Sequence, residues 1–178
     1  MEKTKISNLL TDKSLFLGTN IICSHHLAHN TGRGGYSRRR SKQLRLIVPL
    51  DRVRKKLTAA GFLVGGVSKP KYVWVSNSHR QILHLYNSVF RGYANYYSPT
   101  HNKSRLISLL YFVLKTSCAK LLAAKFSMGS IAAVYRKFGK YLTDPDPSFS
   151  EDERASFAKV SYRANISDLK NPRFGNHS

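Results

Sequence analysis

The chain has 178 residues, enough for one ordinary domain or a small domain with appendages. Hydrophobic residues make up 42%, so a core can be buried and wholesale disorder is excluded. Thirty lysines and arginines face nine carboxylates, a net charge of +21 that repels itself unless a polyanion screens it. Phosphate backbones are the usual polyanion, and an anionic membrane surface is the competing one.

The start, "MEKTKISNLLTDKS", mixes charges of both signs and is expected to hold neither a signal-peptide core nor a transit peptide. No apolar run is expected to reach the ~20 residues that span a bilayer. Cys23 and Cys118 stand alone and far apart, which points to a reducing compartment. Residues 14–22, "SLFLGTNII", read as a short apolar strand interrupted by a bend at Gly18. "CSHHLAH" places Cys23, His25, His26 and His29 together. Zinc would need a second ligand pair at a suitable spacing, which the chain lacks, so a solvent-facing or RNA-facing histidine cluster is the better reading. Residues 30–45 hold three glycines and six cations, Arg33, Arg38, Arg39, Arg40, Lys42 and Arg45, without an apolar period. This reads as a flexible cationic loop suited to a phosphate backbone, or else as a plain solvated loop.

The helices begin at Pro49. A first one is predicted to Ala60, with Leu50, Val53 and Leu57 on one stripe and Gly61 as its stop. Residues 61–75 are punctuated by Gly and Pro and read as loop with a short extended piece. Ser78 and Gln81 have capping-box spacing ahead of a second helix, in which Ile82, Tyr86, Val89, Tyr93 and Tyr97 share a face widened by Leu85, Phe90 and Tyr96. Pro99 ends it near Ser98. A third helix is predicted from Lys103 to Phe126 on Leu106, Leu110, Val113, Ser117, Leu121 and Ala124, and a fourth, capped by Ser130, on Ile131, Val134, Tyr135 and Phe138. Residues 143–154 carry five of the nine acids and two prolines, and the remaining tail has little pattern. The organisation expected is residues 1–48 as a β element with a basic loop, 49–142 as a helical domain, and 143–178 as an acidic linker and tail.

Chemistry is conspicuous by its missing parts. Residues 52–143 contain no Asp or Glu, so that stretch offers no carboxylate to hold magnesium or act as a general base. No Gly-x4-Gly-Lys-Ser/Thr phosphate loop occurs. The expectation is therefore no catalytic residue, no metal and no cofactor, with magnesium entering only through bound RNA. Most rings of the second helix read as core. Arg91, Asn95 and Tyr96 fall off the stripe and read as phosphate and base contacts. Lys103, Arg105, Arg136 and Lys137 complete the candidate RNA-binding set on the helices.

The stretch "YNSVFRGYANYYSPTHNKSRLISLLYFVLKTSCAKLLAAKFSM", with "VYRKFGKYL" after it, resembles domain X, the maturase region of group II intron-encoded reverse transcriptases, especially organellar ones. The matching positions are Tyr86, Asn87, Arg91, Gly92, Asn95, Tyr96 and Tyr97, then Ser117, Ala119, Ala124 and Lys125, then Phe138 and Gly139. "SLFLGTNI" is similar to the end of the reverse-transcriptase palm, and "VPLDRVRKKLTAAGF" to the first helix of the thumb. The resemblance covers roughly residues 14–141, without fingers, Tyr-x-Asp-Asp site or endonuclease module. It implies a mainly α fold, a bundle of about four helices preceded by a short β element and followed by an irregular tail. It also implies a non-catalytic protein that binds intron RNA and assists splicing, and it adds Lys125 as a phosphate contact. Mitochondrial residence is the expectation from the resemblance, with the chloroplast as the other organelle. A structural component of an organellar ribosome bound to ribosomal RNA, and the C-terminal part of a split reverse transcriptase, remain open. The oligomeric state is not indicated.

Overall fold

The computed structural model describes residues 8–9, 12–27 and 40–159, and for 24–27 and 40–43 the backbone alone. Three strands come first, β1 (Ser14–Phe16), β2 (Thr19–Leu27) and β3 (Arg40–Ile47). Helix α1 (Leu50–Ala59), the hairpin β4 (Leu63–Val64) and β5 (Val67–Ser68), and a 3-10 turn at Tyr72–Trp74 come next. Then come α2 (His79–Tyr96), α3 (Lys103–Lys125) and α4 (Ile131–Phe138). The fold is thus mainly α, four helices behind a small β element, as the sequence predicts.

The first sheet is antiparallel in the order β1-β2-β3, with Ser14 opposite Ile21 and Asn20 opposite Ile47 through to Leu27 opposite Arg40. The bend between β1 and β2 falls on Gly18 at φ +76°, where a Cβ would stand 3.3 Å from the Tyr96 hydroxyl. Glycine answers both demands there, the left-handed backbone and the close approach of α2. Arg33, Arg38 and Arg39 lie outside the described residues. Arg40 to Arg45, expected to continue the loop, instead belong to β3. Pairing with β2 satisfies their backbone groups whatever their side chains. The sheet is fastened to the helices by main-chain and side-chain bonds at one corner. His101 N–H donates to Leu46 O at 2.9 Å, and Asn102 takes both backbone groups of Val48, at 2.8 and 3.1 Å.

Helix α2 starts on the capping box expected: Gln81 N–H donates to Ser78 Oγ at 3.2 Å and Ser78 N–H to Gln81 Oε1 at 3.0 Å. Its buried stripe is rotated from the one expected. Ile82, Tyr86, Phe90, Ala94 and Tyr97 are buried, while Val89, Tyr93 and Leu85 are half-buried and Tyr96 is 57% exposed. Phe90 is drawn inward by Phe157, whose ring centroid lies 6.4 Å away. Helix α3 runs through the middle, with Leu106, Leu110, Val113, Ser117 and Leu121 buried as predicted. By length and composition α3 is apolar enough to cross a membrane, against the sequence expectation, because its lysines are widely spaced; half of its most apolar window is buried inside the protein. Ser130 caps α4 by accepting from Ala133 N–H, and Gly139 at φ +71° ends it.

At the crossing of α2 and α3 a buried line of hydrogen bonds forms. Lys71 N–H donates to Tyr86 Oη at 3.3 Å, Tyr86 and Ser117 hydroxyls lie 2.8 Å apart, and Ser117 donates to Lys69 O at 2.5 Å. Because Ser117 spends its proton on Lys69, Tyr86 is the donor between the two hydroxyls. Phe62 and Trp74 pack edge-on to the Tyr86 ring at 5.8 and 5.1 Å.

Residues 143–159 hold no helix or strand, yet both ends of the segment, at Asp144 and at residues 156–158, are packed onto the helices, while Glu151, Asp152 and Glu153 between them are exposed. Phe157 is 0% exposed and Asp144 is buried. Asn87 Nδ2 donates to Ser156 O at 2.8 Å and Asn87 Oδ1 accepts from Ala158 N–H at 2.9 Å. Two outcomes are expected in urea denaturation. Tyr86→Phe should cost about 1–3 kcal/mol, because Lys71 N–H loses its acceptor and Ser117 its donor. Tyr97→Ala, which empties a fully buried ring site, should cost about 3–5 kcal/mol.

Candidate nucleic-acid interface

The candidate residues fall into two groups rather than one site. The first surrounds the sheet corner and the α2–α3 turn. Arg45 sits on β3, half-buried, its Nε without a partner among the described residues. The strand end beside it is bound to His101 and Asn102, immediately before Lys103 and Arg105. These two cations occupy the first turn of α3, where the dipole disfavours positive charge and no acid is present. Asn102, the N-cap residue, has spent its side chain on Val48 and makes no cap bond. Asn95 and Tyr96 stand exposed at the end of α2. Arg91, one turn earlier, is half-buried, and its Nε donates back to Asn87 O at 3.3 Å.

The second group lies at the far end of α3, about 35 Å along a 23-residue helix. Lys125 and Lys137 approach the same ring, Phe126, at 6.0 and 5.7 Å, and Arg136 is exposed beside them. Lys125, expected to face phosphate, already makes one bond within the fold. Its ammonium donates to Val75 O at 3.0 Å, at the end of the 3-10 turn. Lys71 and Lys120 behave alike, donating to Ala60 O at 2.5 Å and Ser68 O at 2.7 Å. In a stretch without carboxylates, main-chain carbonyls become the internal partners of cations.

The side chains of Arg40, Lys42, His25 and His26, and the whole of His29, lie outside what is described; Cys23 is a free, half-buried thiol on β2. Among the described residues no group of three His, Cys, Asp or Glu is close enough to share a metal ion. Sequence reasoning passes over the α1 cations as contacts. Arg52, Lys55 and Lys56 are exposed, and Lys56 Nζ stands 5.8 Å from the Tyr96 ring centroid. Only Arg54 has an acidic partner on that helix, Asp51 at 3.1 Å. The signal is present in the sequence, four cations around an apolar stripe, but their meeting with α2 is a tertiary fact.

His79 is a buried imidazole on α2. Its Nε2 lies 3.0 Å from Leu142 O, and its ring packs on Phe138 at 4.6 Å. Burial pushes its pKa below the usual value, partly offset by Asp144, whose carboxylate is 3.8 Å from Nδ1. His84 is lowered in the same direction, again chiefly by burial and then by Arg80.

The sequence profile of the type II intron maturase family matches residues 41–172. The chain belongs to that family. It is 37% identical over 177 residues to a 91 kDa protein in the cob intron of Schizosaccharomyces pombe, covering 96% of this chain and 22% of that protein. It is 34% identical to the mitochondrial protein ymf11 of Marchantia polymorpha, over 81% of this chain and 20% of that one. Maturase K of Palhinhaea cernua is 31% identical over 68% of this chain and 23% of its own length. The chain thus spans about a fifth of the length of these relatives.

The His79 environment gives a signed pH dependence. Below about 6.5 the unfolded chain takes up a proton that folded His79 refuses. Stability should be full above that pH and fall as pH drops toward the lowered folded value. Thermal melts across this range should show the loss, and His79→Gln should flatten it.

Proposed function

We propose that this chain is the RNA-binding part of a group II intron maturase, which assists splicing by stabilising the folded intron and performs no chemistry of its own. The observation that carries the reading is the imbalance of charge: from residue 52 to 143 there is no carboxylate, and among the described residues Arg52, Lys55, Lys56, Arg105, Arg136 and Lys137 are exposed with no acidic partner. Phosphates binding there would release condensed counterions, which makes association favourable and steeply salt-dependent. Phosphate contacts of this kind position a protein on structured RNA, while exposed rings and amides such as Tyr96 and Asn95 would meet unpaired bases. Magnesium belongs to the folded RNA in this scheme and needs no site on the protein.

The mitochondrion is the proposed compartment, on the strength of the relatives in the cob intron and from Marchantia mitochondria. Crosslinking of the protein to RNA in its native organelle, with sequencing of the bound fragments, tests the reading. Reads concentrated in one group II intron would support it and name the target. Reads concentrated in ribosomal RNA would replace it with a ribosomal role. Addition of a separate polymerase chain that yields DNA synthesis would replace it with a split reverse transcriptase. On the identified RNA, Arg91→Ala should weaken binding and lower the salt slope by about one contact, with little change in the urea midpoint.

A further inference from the structure

An open groove of about 310 Å³ lies between α1 and α2, lined by Lys56, Val89, Gly92, Tyr93, Tyr96 and Tyr97. That is the lower end of the ~300–1,000 Å³ typical of small-ligand sites. Its walls are aromatic and apolar and its rim is cationic.

Tyr96 is exposed but not loose. Its hydroxyl donates to Leu17 O at 2.8 Å, and its ring stands edge-on to Tyr97 at 4.8 Å and 87°. A flat ring is therefore held in position with much of its surface in water. Gly92 keeps the groove open, since no atom lies within 4 Å of where a Cβ would be. Tyr97 brings a buried hydroxyl with no hydrogen-bond partner among the described residues. On the α1 side, Lys56 Nζ sits over the Tyr96 ring, 5.8 Å from its centroid, and Arg52 is exposed one turn earlier. Asp51, the one acid of α1, is tied to Arg54.

We propose that this groove takes a single unpaired nucleobase of RNA, stacked on Tyr96, with the adjoining phosphate on Lys56. A base has a flat π-face for the ring and a phosphate for the ammonium at neighbouring positions. An acidic peptide would satisfy the cations and leave the ring bare. The inference deepens the RNA-binding reading above and rests on it.

Fluorescence anisotropy on the full chain separates the two. One probe is a labelled oligo(A) of about eight nucleotides, within the ~4–16 that one single-strand-binding module covers. The other is an abasic ribose-phosphate oligomer of equal length and charge. Wild type should bind oligo(A) more tightly than the abasic chain. Tyr96→Ala should lose roughly fivefold to 150-fold on oligo(A), the range that stacking of one base supports, with little change on the abasic chain and an unchanged salt slope. Tyr96→Phe keeps the stacking face but gives up the bond to Leu17 O, so it should lose less affinity than Tyr96→Ala. Gly92→Leu fills the groove from an exposed helix position and should reproduce the loss without touching Tyr96. Equal losses on both oligomers, or wild-type binding by both Tyr96→Ala and Gly92→Leu, would overturn the base groove and leave the RNA-binding reading standing. Failure of wild type to bind either oligomer or the intron would overturn both.

Discussion

Four polar groups in line, Lys71 N–H, Tyr86 Oη, Ser117 Oγ and Lys69 O, join the segment after the small hairpin to both long helices. Such a buried line is stable only when complete, since each interior polar group left over carries a desolvation cost. The Tyr86 ring around it is the contact point for Phe62 and Trp74, so the loop between β5 and α2 packs on the same side chain that bridges α2 and α3. With α2 fixed in rotation by Tyr86, the exposure of Tyr96 and the burial of Tyr97 are consequences of helical geometry. The Tyr86 hydroxyl, pushed well above the usual tyrosine range by burial, stays protonated and keeps donating.

The family's residue pattern is largely a packing pattern. Tyr86 and Ser117 form the line, Ala119 and Tyr97 are buried, and Asn87 holds the backbone of residues 156 and 158. Lys125 closes the end of the 3-10 turn. Only Asn95, Tyr96 and the partly covered Arg91 among the polar and aromatic positions of the α2 motif still face outward. A long motif can be specific because it encodes one crossing of two helices, while exposed cations such as Lys56 lie outside the pattern.

Helix ends are legible in the sequence because their signals are local. Ser78 with Gln81, Ser130, Pro49 and Gly61 each act within one turn. The features that escape the sequence are set at long range. Arg40 to Arg45 have no strand alternation, and they form β3 because β2 offers a ladder. Phe90 and Ala94 displace Val89 and Tyr93 from the stripe because Phe157, far along the chain, packs there. The docking of the tail has no side-chain signature, since Asn87 grips backbone atoms. The candidate site is legible as chemistry but not as arrangement. Cations and rings are visible, whereas their division between two ends of α3, and the inward turn of Lys125, depend on which carbonyls the fold leaves exposed.

The lysines that donate to Ala60, Ser68 and Val75 carbonyls have a consequence for handling the molecule. Ion pairs between carboxylates and ammonium groups weaken as ionic strength rises, but short bonds to carbonyl dipoles are far less screened, and salt also relieves the mutual repulsion of a chain at +21. The fold and the affinity for polyanions therefore respond to salt in opposite senses. Concentrated salt should strip any bound polyanion from the protein and leave it folded, so bare and loaded chains are separable by ionic strength alone.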